Sequence, residues 1–255
     1  MHLGKTMSKE NKIGGITVHQ FVWDFIDSNA YILIDNDNAL IIDPINSNEF
    51  WQFINEKRIE EATVILTHEH FDHISGLNRL REKLDCHVYA SKCCSRNIGD
   101  CKKNLSNTAN ILSYFNKEIE KSHVHIDAFT CKKADVEIKD KIEIIWNGHI
   151  LQFVLTPGHS EGSICVILDM YMLFSGDSFM EIPVITRFPG GNKKCYQSDT
   201  IPFLRSLFGK ISVVFPGHGD MFSMKNFENR GVGNDECFFI SGTGLPGNRY
   251  GKRDL

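Results

Sequence analysis

The sequence predicts an α/β (α+β) fold in which two β-rich halves form two sheets packed face to face and covered by helices. Three observations predict it. Short apolar, β-branched runs recur through both halves of the 255-residue chain. Segments with helical spacing interleave with those runs. Polar residues of one chemical kind gather just past the ends of several runs.

The elements follow in order. Residues 16–23, 30–34 and 39–42 read as strands, and Asp35-Asn36-Asp37-Asn38 forms the turn between the second and third. Residues 49–57 read as a helix with Asn48 as its N-cap. The run Ala62-Thr63-Val64-Ile65-Leu66 has the composition of a buried strand. Beyond it Ile74, Leu77, Leu80 and Leu84 recur at helical spacing, so a helix should begin inside the intervening loop and aim its N-terminus there. Residues 87–90 return as a strand. Residues 91–141 are polar, with helical stretches and no clear strand, and read as an insertion between the halves. In the second half, 141–146 and 149–155 flank Asn147-Gly148, a two-residue hairpin signal. Strands at 163–168 and 172–174 follow, then a helix over 199–208 capped near Ser198, then a buried strand at 211–215. Residues 1–15 read as a polar extension, 16–222 as one domain, and the Gly- and Asn-rich 223–255 as a tail.

Bulk properties narrow the function. A net charge of −4 provides no electrostatic footprint for nucleic acid. No run of about 18 apolar residues exists, so no membrane-spanning helix is expected. Lys5, Lys9 and Lys12 have no apolar stretch behind them, which argues against a signal peptide. The eight cysteines contain no CxxC pair. Together these point to a cytoplasmic protein with free thiols and no nucleic-acid partner. The oligomeric state stays open.

The densest chemistry is Thr67-His68-Glu69-His70-Phe71-Asp72-His73, directly after the strand at 62–66. Strand C-terminal ends are where layered α/β folds bind ligands. Three later strands end the same way: Thr156-Pro157-Gly158 leads to His159, Phe174-Ser175-Gly176 to Asp177, and Phe215-Pro216-Gly217 to His218. Glycine before a ligand lets the backbone turn tightly and approach closely. Five imidazoles and two carboxylates at strand ends support two metals, each with three or four protein ligands and an open position for water. A closed structural zinc site would favour cysteine instead. Other residues read as structural. Glu69 and Phe71 alternate with the ligand-type residues and lie behind them or face solvent. His19, His87 and His149 sit in or before strands. His123 and His125 lack a following Asp-His and read as surface residues. Trp23, Trp51 and Trp146 read as core, and Cys93-Cys94 as incidental.

The motifs HxHxDH, TPGHS, FSGD and PGHG, in that order over residues 16–219, resemble the metallo-β-lactamase superfamily and are most similar to its glyoxalase II (hydroxyacylglutathione hydrolase-like) branch. The resemblance implies a four-layer αβ/βα sandwich with a dinuclear site between the sheet edges. It implies that His68, His70 and His159 hold one metal, Asp72, His73 and His218 the other, and that Asp177 bridges them. Two divalent ions are implied, zinc by default, with iron or manganese as alternatives. The implied reaction is attack of a metal-bridging hydroxide on an acyl substrate, foremost a thioester of the hydroxyacyl-thiol type, with Asp72 able to shuttle the proton. Retention of all seven positions favours an enzyme over a scaffold.

Residues 186–192 resemble a GRxDFPGG stretch of small glyoxalase II-like proteins, although its leading Gly and its Asp are absent here. Arg187, Lys193, Lys194 and Tyr196 are candidate contacts for an anionic group of the substrate. The Gly-rich residues after His218 do not resemble the helical glutathione-binding region of glyoxalase II, which leaves the thiol carrier open. The alternatives are a mononuclear-iron persulfide dioxygenase and a lactonase or β-lactam hydrolase on the same scaffold.

Overall fold

A computed structural model describes residues 8–35, 38–111 and 125–225. The strands form two mixed sheets. The first contains, side by side in chain order, β1 (Ser8–Ile13), β2 (Ile16–Trp23), β3 (Ser28–Asp35), β4 (Asn38–Ile42), β5 (Glu61–Ile65), β6 (Asp85–Ser91) and β7 (Val136–Ile138). Strands β1 to β4 are antiparallel, and β4 to β7 are parallel. The second sheet comprises β8 (Ile142–Trp146), β9 (His149–Leu155), β10 (Ile164–Leu168), β11 (Met172–Gly176), β12 (Val213–Pro216) and β13 (Phe222–Ser223). Only its β11–β12 pair is parallel.

Strand periodicity builds three apolar layers. In β3, Tyr31 and Leu33 face the second sheet, while Ala30 and Ile32 face the opposite way. In β10, Ile164, Val166 and Leu168 meet them across the interior, and Cys165 and Ile167 point outward. Both faces of β3 and β10 are covered, which explains why these two strands read as continuous apolar runs instead of alternating ones. Helix α1 (Asn48–Lys57) packs Phe50, Trp51 and Ile54 on the outer face of the first sheet. Two short helices, α2 (Phe71–Ile74) and α3 (Leu77–Lys83), and then α4 (Lys92–Asn97), complete that layer. On the far side, α5 (Lys193–Cys195) continues through a π-helical stretch, Tyr196–Thr200, into α6 (Ile201–Ser206). This arm packs Tyr196, Ile201 and Leu204 against the second sheet. The result is the expected αβ/βα sandwich.

Several boundaries differ from the sequence expectation. The first sheet starts inside the supposed extension, because Ser8 to Ile13 pair with β2 from Ser8↔Phe21 to Ile13↔Ile16. Its polar composition reflects an edge position. The supposed strandless insertion contains β7, only three residues long and parallel to β6. The single helix expected after the histidine run is two, broken at Ser75-Gly76. There Gly76 passes so close to the backbone that a Cβ would lie 2.6 Å from the Ile45 carbonyl oxygen, and its N–H donates to Pro44 O at 2.9 Å. The last arm begins at Lys193 instead of Asp199, capped by Asn192, whose Oδ1 accepts from the N–H groups of Lys194 and Cys195. The hairpin at Asn147-Gly148 has φ of 46° and 89°, the two positive values a type I′ turn needs. The turn residues Asn36 and Asp37, His123, and the tail from residue 226 lie outside the described residues.

The cap of α1 is Ser47, not Asn48, with its Oγ accepting from Phe50 N–H at 3.2 Å. Ser47→Ala should therefore cost about 1 kcal/mol. The check is a urea titration in which the midpoint falls and the slope is unchanged.

Candidate metal centre

Four chain segments converge at one edge of the sandwich. The loop after β5 carries His68 and His70, and α2, which follows at once, carries Asp72 and His73. The β9–β10 loop carries His159, and Asp177 follows β11. His218 follows β12. The structure brings all seven together. All are buried except His218, which is half-buried. His70 Nδ1 lies 3.0 Å from His159 Nε2, and His68 completes a trio with them. Asp72, His73 and His218 form a second trio. Asp72 Oδ2 lies 3.3 Å from both His73 Nε2 and His218 Nε2. Asp177 joins the two: its Oδ2 is 3.3 Å from His159 Nε2 and 3.4 Å from His218 Nε2, and its Oδ1 is 3.5 Å from His73 Nε2.

These separations fit metal coordination. Two ligand atoms each about 2.05 Å from a tetrahedral ion stand about 3.3 Å apart. Among the ring and carboxylate atoms turned to the cage, the buried His68 Nε2, His73 Nε2 and Asp177 Oδ1 have no hydrogen-bond partner. Orphaned buried polar atoms are costly, and several of them converging on one spot is what a cation-binding cage presents.

Electrostatics divide the site in two. Burial pushes the His70 and His159 imidazoles down to about 4 and His68 well below its usual range, so the first trio is neutral and offers lone pairs. In the second trio burial acts against charge, yet Asp72 and Asp177 outweigh it and hold His73 well above its usual range. Asp177 and Asp72 likewise hold His218 up at about 10, against burial. Burial would raise the two carboxylates, but His73 and His218 keep both well below the usual range. Two imidazolium–carboxylate pairs thus balance charge where a divalent ion could replace two protons.

A supporting shell orients these groups. Asp43 follows β4 and is buried. It accepts from Thr67 N–H at 2.7 Å, from Thr67 Oγ1 at 2.5 Å, and from His73 Nδ1 at 3.1 Å, which leaves His73 Nε2 for the cage. His159 Nδ1 is fixed by Ile185 O at 2.8 Å. The His218 loop hangs from the first sheet, where Asn29 Nδ2 donates to Pro216 O and Gly219 O, and Tyr31 Oη donates to Pro216 O. Phe188 stands edge-on over the first trio, its ring 5.9 Å from His70 and 6.0 Å from His159. Sequence reasoning missed Asp43, Asn29 and Phe188. The first had a signal, since it ends an apolar strand just as the ligand-type residues do.

At Gly217 a Cβ would overlap Asp177 Oδ1 and sit 2.9 Å from His73 Cε1. Gly217→Ala should therefore displace Asp177 or His73. Elemental analysis of the purified variant should find metal well below the wild-type content, with far-UV circular dichroism unchanged.

The candidate substrate contacts separate. Arg187, Lys193 and Lys194 are exposed on the loop and helix start beyond Asp177. Tyr196 is not available to a substrate: it is buried in the core under the second sheet, donates to Ser178 O at 2.8 Å, and backs Gly158. The π-helical stretch turns it inward. His125 is exposed beside Asp127. Among the described residues no helix is long and apolar enough to cross a membrane, and the seven described cysteines are free.

A two-sheet sandwich with a histidine–aspartate cage at the sheet edge defines a class of metal-binding protein. The family model described as the metallo-beta-lactamase superfamily matches residues 23–218, and the chain belongs to that superfamily. A probable metallo-hydrolase of Bacillus subtilis, YqgX, is 32% identical over 197 residues, covering 76% of this chain and 86% of that one. A hydroxyacylglutathione hydrolase of Francisella philomiragia is 24% identical, covering 82% and 69%. The crystal structure of TTHA1623 in a di-iron-bound form superposes with a TM-score of 0.62 at 22% identity, covering 83% of this chain and 96% of that one.

Proposed function

We propose that this chain is a metallohydrolase that binds two divalent ions and cleaves a small-molecule acyl substrate, with thioesters of the hydroxyacyl-thiol type as the leading class. The observation that carries the reading is the pair of donor trios joined through Asp177, with unpartnered nitrogens and an oxygen turned into the cage. His68, His70 and His159 would hold one ion, Asp72, His73 and His218 the other, and Asp177 both. Similarity to a protein named hydroxyacylglutathione hydrolase supports the thioester class. The di-iron form of TTHA1623 supports two metals and keeps iron beside zinc and manganese as a candidate.

Bound divalent ions supply Lewis acidity and a nucleophile at neutral pH by lowering the pKa of water from about 16 towards about 7. The chain's own residues do the rest. Asp72 Oδ2, between His73 and His218, is placed to accept a proton. Phe188 walls the first trio and limits water there, which strengthens every charge interaction inside. Arg187, Lys193 and Lys194 lie beyond it as exposed cations suited to an anionic carrier group.

The test pairs metal content with turnover. Protein purified without chelators should carry close to two metals per chain and hydrolyse members of a thioester panel without oxygen uptake. Dipicolinate should abolish that activity and Zn2+, Fe2+ or Mn2+ should restore it. About one iron per chain with oxygen consumption on glutathione persulfide would replace the hydrolase by a dioxygenase. Chelator-insensitive hydrolysis would remove the metals from the reaction.

A further inference from the structure

Glu69 lies between two ligand-type histidines and is almost wholly inaccessible, with 1% of its surface exposed. Its carboxylate receives Asn97 Nδ2 from α4 at 2.9 Å on Oε1 and Ser160 Oγ at 2.8 Å on Oε2. The orientation of Asn97 is fixed independently, because its Oδ1 accepts from Arg96 Nε at 3.0 Å, so its amino group must face Glu69. Both Glu69 oxygens therefore accept. A second constraint comes from Gly162, where a Cβ would overlap Glu69 Oε2 and lie 2.5 Å from Cys94 N. The Gly162 backbone therefore packs directly against the carboxylate.

Neither of these partners is a cation. A buried carboxylate held only by neutral donors is expensive unless a positive charge stands nearby. We infer that Glu69 is a positioning residue for the His68–His70–His159 metal position: it clamps the two ligand loops together through Ser160, the neighbour of His159, and its buried charge raises the affinity of that position for a divalent cation. The inference rests on the reading that this trio holds metal. It assigns a role to the residue between the two histidines, which the proposed mechanism does not use.

The test is metal binding, so it is independent of which substrate is turned over. Wild-type, Glu69→Gln and Ser160→Ala proteins are stripped of metal, titrated with Zn2+ against a chromophoric chelator, and titrated with Co2+ while the visible absorption is recorded. Glutamine fits the same space: its Oε1 can accept from Asn97 and its Nε2 can donate to Ser160 Oγ. Glu69→Gln should weaken one of two binding steps about 10- to 100-fold and leave the other unchanged, with an altered Co2+ spectrum for the weakened step. Ser160→Ala should weaken the same step. The melting temperature of metal-free Glu69→Gln should match or exceed that of metal-free wild type, while the metal-loaded variant melts lower than its wild-type counterpart. A merely structural residue would lower both. Unchanged affinities for both steps, or equal losses of stability with and without metal, would overturn the inference. Failure of the wild type to bind metal would overturn it together with the metal reading, whereas a failed thioester panel would leave it standing.

Discussion

Replacing His70 with alanine should cut turnover of any accepted substrate by about three orders of magnitude or more while leaving the fold in place. His70 Nδ1 sits 3.0 Å from His159 Nε2, and no other nitrogen of the first trio can move into its place, because His68 and His159 hang from separate loops. With two imidazoles left, the first position loses a donor that nothing nearby replaces. The Lewis acidity of a bound ion contributes several kcal/mol to the transition state, and about 4 kcal/mol corresponds to about a thousandfold in rate. The fold should survive because the loop is anchored elsewhere: Asp43 holds Thr67, and Glu69 holds Asn97 and Ser160. The measurements are metal per chain by elemental analysis, circular dichroism, and kcat on the best substrate of the panel. A folded, metal-poor His70→Ala protein that kept full turnover would defeat the proposed mechanism.

The fold was legible where a strand buries either a continuous run or an alternation of apolar side chains. Strands β2 and β9 were readable to the residue, and β10, with all five residues buried, to within one. Legibility failed where an element owes its existence to a neighbour. β1 is a polar edge strand that exists because β2 offers it hydrogen bonds, and β7 has three residues, too few for a period to register. The helix break at Gly76 depends on the backbone of Ile45, which arrives from a segment 31 residues earlier in the chain and leaves no local mark. The cage was legible for a different reason. Imidazoles and carboxylates placed after apolar strands have few structural duties, so their repetition at four strand ends is a signal in itself. The groups that orient the cage carry no such repetition. Asn29 and Phe188 are ordinary strand and loop residues until the distant loops they touch are in place.

Tyr196 shows how a residue near the cage can matter without touching a substrate, and Tyr196→Ala should be the most destabilising of the substitutions considered. The ring has no exposed surface, and its Cα would lie 2.7 Å from any Cβ placed on Gly158, one residue before His159. Deleting a buried aromatic ring costs about 3–5 kcal/mol through lost transfer energy and the cavity left behind. Tyr196→Phe keeps the ring but leaves Ser178 O without its 2.8 Å donor, a loss of about 1–3 kcal/mol. The two variants separate packing from the hydrogen bond. The alanine variant also frees the Gly158 loop, so His159 should lose its register with His70, and metal content should fall with stability. The phenylalanine variant should keep wild-type metal content. Urea unfolding of metal-free proteins gives the stability differences, and elemental analysis gives the metal. If Tyr196 instead contacted an anionic substrate group, both variants would retain wild-type unfolding midpoints and raise KM alone, and that pattern would return Tyr196 to the substrate surface.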